Sequence, residues 1–454
     1  MKIIIAGAGA VGTHLAKLLV RERHDITLID EDPYRVAAMS NNYDIMTVTG
    51  SPSSISVLKS AEAGKADLFI AVTPDEAHNM TCCMLASQLG AKRTVARVDN
   101  FEYTIPEHKE FFKEAGIDSV IYPELLAGKQ IAHNVQHSWV RQWWEFQNGA
   151  LVLMSVMIRT KDAPVIGKPL KDICLPETPF HIVAIKRDGD TLIPHGNDEI
   201  QLGDLVFFMS MPEHIHTIRD ISGKADYPEV KNVFFMGGTP TTVHAVENLP
   251  AHINAKVFEP DYKRCQKLAE LLRPYHALVV QGDGHDLNLL EDEGIRSVQA
   301  FVATTSTSDQ NILACLAAKR LGVQKSVAMV EDTDYISMAE SLNIGSVINK
   351  KTFAADHIYQ MMLKKDVTSI KSLTIASAEV AEIKVPEDSR VTKKLVKDLG
   401  LPPTINLGGL VRNGKAMLIN GNTQILAGDM VIAFCMEGEI KNLEKLFKES
   451  NWLF

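Results

Sequence analysis

"IIIAGAGAVGTHLAKLL" (residues 3–19) is the stretch that decides the fold. An apolar β-branched run leads directly into Gly7, Gly9 and Gly12, and then into apolar residues at helical spacing. A buried strand entering a helix through a G-x-G-x-x-G turn is the fingerprint of a dinucleotide-binding βαβ unit. Gly7 permits the tight turn, Gly9 lets backbone N–H groups approach a pyrophosphate, and Gly12 permits close helix–strand packing. The intervening Ala8, Ala10 and Val11 complete the turn and count with it as candidate cofactor-binding positions. The helix N-terminus adds roughly half a positive charge facing the phosphates. The next apolar run, "DITLID" (25–30), ends in Asp30, 18 residues after Gly12. A carboxylate there can accept the adenosine ribose hydroxyls and repels a 2′-phosphate, which favours NAD(H) over NADP(H). The bland alternative is a glycine turn that only packs the first helix.

Short β-branched runs then alternate with helical patterns. Strands are expected at 2–6, 26–30, 45–49, 68–72, 94–98 and 119–122, with helices at about 11–23, 32–40, 53–63, 76–90 and 105–115. Such alternation implies a parallel sheet with right-handed crossovers, whose ligands bind at the carboxyl edge. Three more strand ends fall on that edge. Ser51, after Gly50, could bring donors near the ribose; Thr73 and Pro74 could line the adenine or nicotinamide path; Arg97 either faces the cleft or pairs with Asp99. Turn chemistry alone accounts equally for residues of these types at such places.

An internal repeat organises the rest. "IQLGDLVFFMS" (200–210) matches "ILAGDMVIAFC" (425–435), with Gly203–Asp204 and Gly428–Asp429 displaced by 225 residues. "ADLFIAVTPDEAHNMTCCMLASQLGA" (66–91) runs parallel to "VQAFVATTSTSDQNILACLAAKRLGV" (298–323) at a displacement of 232. The chain is a tandem duplication of a two-part module. The fold class is α/β: two Rossmann-like parallel-sheet domains, each followed by a small α+β domain rich in Pro/Gly turns. The expected boundaries are 1–135, 146–226, 228–362 and 368–454.

The second copy of the glycine turn is "FFMGGTPTTVHAVENL" (234–249). Gly237 and Gly238 remain, but Thr239 stands for Gly9, Pro240 for Ala10 and Thr242 for Gly12. Close approach of a pyrophosphate and tight helix packing are both compromised, and Pro240 lacks an N–H. Yet Glu259 stands where Asp30 does, and Asp283 and Thr305 stand opposite Ser51 and Thr73. This predicts a weaker or differently specific site.

Composition narrows the function. The 454 residues are 46% hydrophobic and 23% charged, with formal net charge −9. An acidic chain without Lys/Arg tracts argues against nucleic-acid binding. No apolar run reaches the ~18–20 residues that span a bilayer, and the N-terminal apolar run is too short for a signal peptide. "ALVLMSVMI" (150–158) reads as a buried strand. Six scattered cysteines without a CxxC read as reduced thiols in a cytoplasm. His133 and His137 in "HNVQH" share a helical face but lack a third ligand, so a plain helix surface is expected and no metal. "SWVRQWWEF" (138–146) reads as a linker whose tryptophans pack against a helix or meet a partner. The chain carries neither a P-loop nor a G-x-S-x-G turn, and shows no acid–base pair on a substrate domain.

A Rossmann unit followed by a small α+β unit, the pair occurring twice, resembles the tandem RCK (KTN) family of potassium-channel and potassium-transporter regulators. "MKIIIAGAGAVGTHLAKLL…HDITLID" and "VTPDEAHNM" carry the likeness, which covers essentially the whole chain. The resemblance implies RCK-N and RCK-C domains in turn, and a homo-oligomeric ring on the cytoplasmic face of the cell membrane. It also implies a potassium-conducting membrane partner of the TrkH/TrkG type, and clefts that take NAD⁺/NADH or ATP/ADP. The implied ligand residues are Gly7, Gly9, Gly12, Asp30 and Thr73, with Ser51 and Arg97 beside them. The implied function is regulatory and not enzymatic. Two rivals stand beside it: an NAD-dependent oxidoreductase, and an NAD-sensing scaffold with another partner.

Overall fold

The computed structural model describes residues 1–21, 24–332, 334–342, 344–361, 367–373 and 378–448. They fall into two compact units, Met1–Ala132 with Asn232–Met362, and His133–Lys231 with Leu363–Phe454. Each unit thus joins the same half of both repeats.

In the first unit, the leading copy runs β1 (Lys2–Ala6), α1 (Ala10–Arg21), β2 (Asp25–Asp30), α2 (Pro33–Asn42), β3 (Met46–Thr49) and α3 (Ile55–Ser60). It continues through β4 (Leu68–Ala71), α4 (Glu76–Leu89), β5 (Thr94–Arg97), α5 (Lys109–Glu114), β6 (Ser119–Ile121) and α6 (Pro123–Gln136). The sheet order is β3-β2-β1-β4-β5-β6, all parallel. This is the doubly wound order whose strands reverse direction of travel beside β1. Ile3, Ile4 and Ile5 are fully buried, as expected for a central strand covered by helices on both faces. The second copy repeats the order with Leu278–Gln281, Asn254–Glu259, Asn232–Met236, Ala300–Ala303, Lys325–Met329 and Ser346–Ile348.

Helix starts follow local chemistry. Asp32 caps α2 by accepting from the N–H groups of Tyr34 and Arg35, with Pro33 in the first turn. Asp75 caps α4, and Gly90 ends it in the left-handed region at φ 115°. Two expected helices are shorter than the sequence suggests. The one at 53–63 stops at Ser60, and the one at 105–115 is a 3₁₀ turn, Pro106–His108, followed by α5. Pro106 opens the 3₁₀ turn, where its missing N–H is not needed. The expected end of the first helix at 22–23 lies outside the described residues.

The two Rossmann copies grip one another. The last helix of the second copy, Lys350–Met361, packs along α1, with His14 Nε2 3.7 Å from Asp356 Oδ1. In return, α6 lies against Pro240–Glu247, the glycine-turn helix of the second copy: a Cβ on Gly128 would sit 2.6 Å from the His244 Cβ. Lys350 bridges the copies further, at 3.1 Å from Glu124 and 2.7 Å from Glu331.

The second unit holds two antiparallel five-stranded sheets of one topology. The first orders Asp190–Leu192, Phe180–Arg187, Leu205–Ser210, Leu151–Met157 and Gln142–Phe146. The second orders Lys415–Leu418, Ile405–Arg412, Met430–Met436, Ala378–Lys384 and Val367–Leu373. Leu153, Val183 and Phe207 of one sheet pack with Val380, Ile432 and Phe434 of the other. The Gly–Asp pairs that revealed the repeat have the same task in both: Asp204 takes a two-pronged grip from Arg187 at 2.8 and 2.7 Å, and Asp429 takes the same from Arg412.

One reading is corrected here. "SWVRQWWEF" is no linker: Gln142–Phe146 is an edge strand paired antiparallel with Leu151–Met157. Trp143 is buried in the core of the first small domain, and His137, just past the end of α6, stacks on it at 3.9 Å. A tight turn with Gln147, Asn148 and Gly149 at positive φ folds the segment back on its neighbour, with Trp143 and Phe146 buried. His133 and His137 therefore do not present a common ligand face on a helix surface.

Candidate nucleotide clefts

The glycine turn joins β1 to α1 at the centre of the first sheet, and each glycine has a distinct reason. Gly7 has φ +111°, and a Cβ there would press to 3.1 Å on the Thr73 nitrogen at the end of β4. Gly12 is where α1 meets the strand: a Cβ would lie 1.8 Å from the Gly7 carbonyl oxygen. Above Gly9 there is only open space, with nothing within 4 Å of a Cβ. Ala8, Ala10 and Val11 occupy the turn and first helical residues between these points. The cradle therefore fits a pyrophosphate at its mouth and a tightly packed helix behind.

Asp30 ends β2 beside this turn. Its carboxylate accepts from the Ala8 N–H at 2.5 Å and the Asp32 N–H at 2.9 Å, so it fastens the turn to the second strand while keeping lone pairs for a ribose. Ser51 exchanges a hydrogen bond with Ser53 at 3.0 Å. The Thr73 hydroxyl donates to Asn79 Oδ1 at 2.7 Å. Pro74 follows it, ahead of the helix cap at Asp75. For Arg97, the alternatives resolve to pairing: it holds the Asp99 carboxylate at 2.6 Å and donates to the Thr73 carbonyl at 3.0 Å. Burial, with Glu124 and Glu76 nearby, raises the Asp99 carboxyl above its ordinary value despite Arg97.

The buried Asn79 was not singled out from the sequence. Its amide donates to the carbonyls of Thr73 and Arg97, tying the ends of β4 and β5 together. Asn311 does the same for Thr305 and Met329 in the second copy. The signal was available, because these asparagines align within the matched 66–91 and 298–323 segments.

The second copy keeps the clasp and changes the mouth. Glu259 accepts from the N–H groups of Gly238 and Asp261, both at 3.0 Å, as Asp30 does in the first. Gly237 keeps φ +98°. Thr239 turns its hydroxyl inward to cap the helix at the Thr242 N–H. Helix packing is rebuilt rather than lost: Thr242 is fully buried and donates to the Gly237 carbonyl at 2.6 Å, with Thr304 2.6 Å away. A cleft of about 740 Å³ opens beside Glu259 and Thr305, bordered by the cations Arg264 and Lys267. His244 lines it while its ring meets Phe101 and Tyr122 of the first copy, at centroid distances of 4.9 and 5.4 Å. Asp283 lies apart from that lining and is held below the ordinary carboxylate range by the backbone and ring N–H groups of His285.

Comparison with known proteins fits this geometry. The TrkA-N domain family matches residues 3–123 and 233–350, and the TrkA-C domain family matches 154–223 and 380–448. The chain belongs to the TrkA family. It is 31% identical to the Trk system potassium uptake protein TrkA of Haemophilus influenzae and 29% identical to that of Azorhizobium caulinodans. Each alignment covers 99% of this chain and 99% of the relative. The GsuK RCK domain shares the fold, with a TM-score of 0.59 at 16% identity over 98% of this chain and 94% of that one. A GsuK channel solved bound to NAD superposes equally, at TM-score 0.59 and 16% identity over 98% of this chain and 78% of that one. These TrkA relatives are named as potassium uptake proteins and not as enzymes, and the oxidoreductase reading is set aside. Among the described residues, no helix is long and apolar enough to cross a membrane.

Proposed function

We propose that this chain is the nucleotide-sensing regulatory subunit of a potassium uptake system, working at the inner face of the membrane on a potassium-conducting partner of the TrkH/TrkG type. The observation that carries the reading is the first glycine turn: an open mouth over Gly9, held to β2 by Asp30, in a chain of a potassium-uptake family. NAD(H) would lay its pyrophosphate on the N–H groups at the start of α1, and its adenosine ribose on Asp30. Ser51, Thr73, Pro74 and Arg97 would border the rest of the ligand. ATP or ADP would use the same phosphate cradle. The solved GsuK channel with NAD supports this choice of ligand class by fold alone.

The second cleft, with Gly237, Gly238, Glu259 and Thr305, would take a nucleotide in another pose, its phosphates met by Arg264 and Lys267 instead of a bare turn. The mutual grip of the two copies supplies the lever. Because α6 and Lys350–Met361 each lie on the other copy's glycine-turn helix, a ligand that pulls on one turn acts on both sheets. Only a ligand with different affinity for two arrangements shifts their balance, and a tenfold ratio is worth about 1.4 kcal/mol per site. A ring of such subunits would sum these contributions.

The test is potassium flux through the membrane partner reconstituted with this protein, with and without NADH or ATP, alongside Asp30→Asn. Flux that responds to nucleotide, with a weakened response in the variant, is expected. Flux indifferent to the protein and to every nucleotide refutes the reading.

A further inference from the structure

The second small domain carries a concavity of about 390 Å³ apart from either Rossmann cleft. Arg390, Lys393 and Lys394 border it from the segment after the strand Ala378–Lys384, and Lys445 borders it from the helix Ile440–Phe447. Leu399 and Leu446 are among its apolar walls, and none of the lining residues is acidic. All four cations are exposed, and none takes part in an ion pair among the described residues. Elsewhere in this unit the arginines Arg187 and Arg412 are matched to Asp204 and Asp429.

The repeat supplies a control within the molecule. At the displacement of 225 residues, Arg390, Lys393, Lys394 and Lys445 correspond to Val165, Lys168, Pro169 and Asp220. The first domain keeps one of the four cations and sets a carboxylate in place of Lys445. Two copies with the same topology therefore differ in charge at one concave spot.

We propose that this concavity binds a phosphoryl-bearing anion of roughly mononucleotide size or smaller. A cleft lined by one sign of charge concentrates counter-ions, and ammonium and guanidinium groups pair well with phosphate oxygens. Its volume lies in the usual range for small-molecule pockets. The shared chemistry could come from a free organic phosphate or from the headgroup of an anionic phospholipid.

The test uses the full chain, acylation of lysine amines mapped by mass spectrometry, and two probes: inorganic pyrophosphate and phosphatidylglycerol vesicles, with phosphatidylcholine vesicles as control. Protection of Lys393, Lys394 and Lys445 by about tenfold is expected, weakening with salt, while Lys168 and Lys171 of the first domain stay reactive. Protection by pyrophosphate assigns a free phosphate, and protection by the anionic vesicles alone assigns a headgroup; both support the site. The double variant Lys394→Glu/Lys445→Asp cancels the charge of the lining, and should abolish protection of Lys393 with an unchanged melting midpoint and unchanged NADH binding. Equal labelling with and without both probes overturns the proposal, as does protection of Lys393 that survives in the variant.

Discussion

The second and third glycines of the first turn serve different ends, and substitution separates them. At Gly9 an added Cβ meets nothing within 4 Å, so the first side-chain atom of Gly9→Thr finds room. It also installs the residue that the second copy carries as Thr239, where the hydroxyl caps the helix. Threonine and glycine are about equal as helix caps, so the cost to stability is within about 0.5 kcal/mol. The open space, however, is where a pyrophosphate would sit. Loss of two hydrogen bonds to a charged ligand, at about 1.5–3 kcal/mol each, predicts NADH affinity lower by about 10²-fold or more. Gly12→Ala reverses the pattern. Its methyl would lie 1.8 Å from the Gly7 oxygen, so helix and strand must separate, at a cost of about 1–3 kcal/mol. Calorimetric titration with NADH and thermal melting on both variants give the two readouts. Undiminished NADH binding by Gly9→Thr would refute the placement of the pyrophosphate. An unshifted melting midpoint in Gly12→Ala would refute the packing argument.

Two further expectations concern the second unit. Asp204 is 1% exposed and holds Arg187 with both oxygens; Asp204→Ala should cost about 2–3 kcal/mol, less than for a fully buried pair because the guanidinium is 28% exposed, and denaturant melts would measure it. His181 lies in the other sheet-facing contact, 3.1 Å from Asn406, and burial pushes its pKa down from 6.5 against the opposing effect of that hydrogen bond. The unfolded chain then takes the proton first, so stability present above 6.5 is lost as pH falls below it, by at most about 1.4 kcal/mol per pH unit. Melting midpoints should drop more steeply with acid in the wild type than in His181→Gln, and parallel curves would remove His181 as the cause.

Much of the site was legible because its chemistry is local. Gly7, Gly9 and Gly12 announce their turn through spacing, and Asp30 stands at the end of the next strand. The sheet order follows from βαβ alternation. Asn79 escaped notice because an asparagine near a helix start reads as ordinary capping, and only the folded sheet shows it joining β4 to β5. Thr242 looks like a defect of the second turn in the sequence, which shows a glycine lost but not the Thr304 hydroxyl waiting across the strand. The edge strand Gln142–Phe146 was missed because its neighbour becomes visible only after the turn has closed.

The sequence by itself determined the duplication, the Rossmann order and the inequality of the two glycine turns, because each is written in contacts a few residues apart or in direct comparison of the halves. Tertiary structure alone decided the pairing of like with like across the repeat. The partners there are faces, not motifs: α1 with Lys350–Met361, Gly128 with His244, and Phe207 with Phe434 are each separated by more than 100 residues. Their affinity comes from shape and buried area, to which no single residue type gives a name.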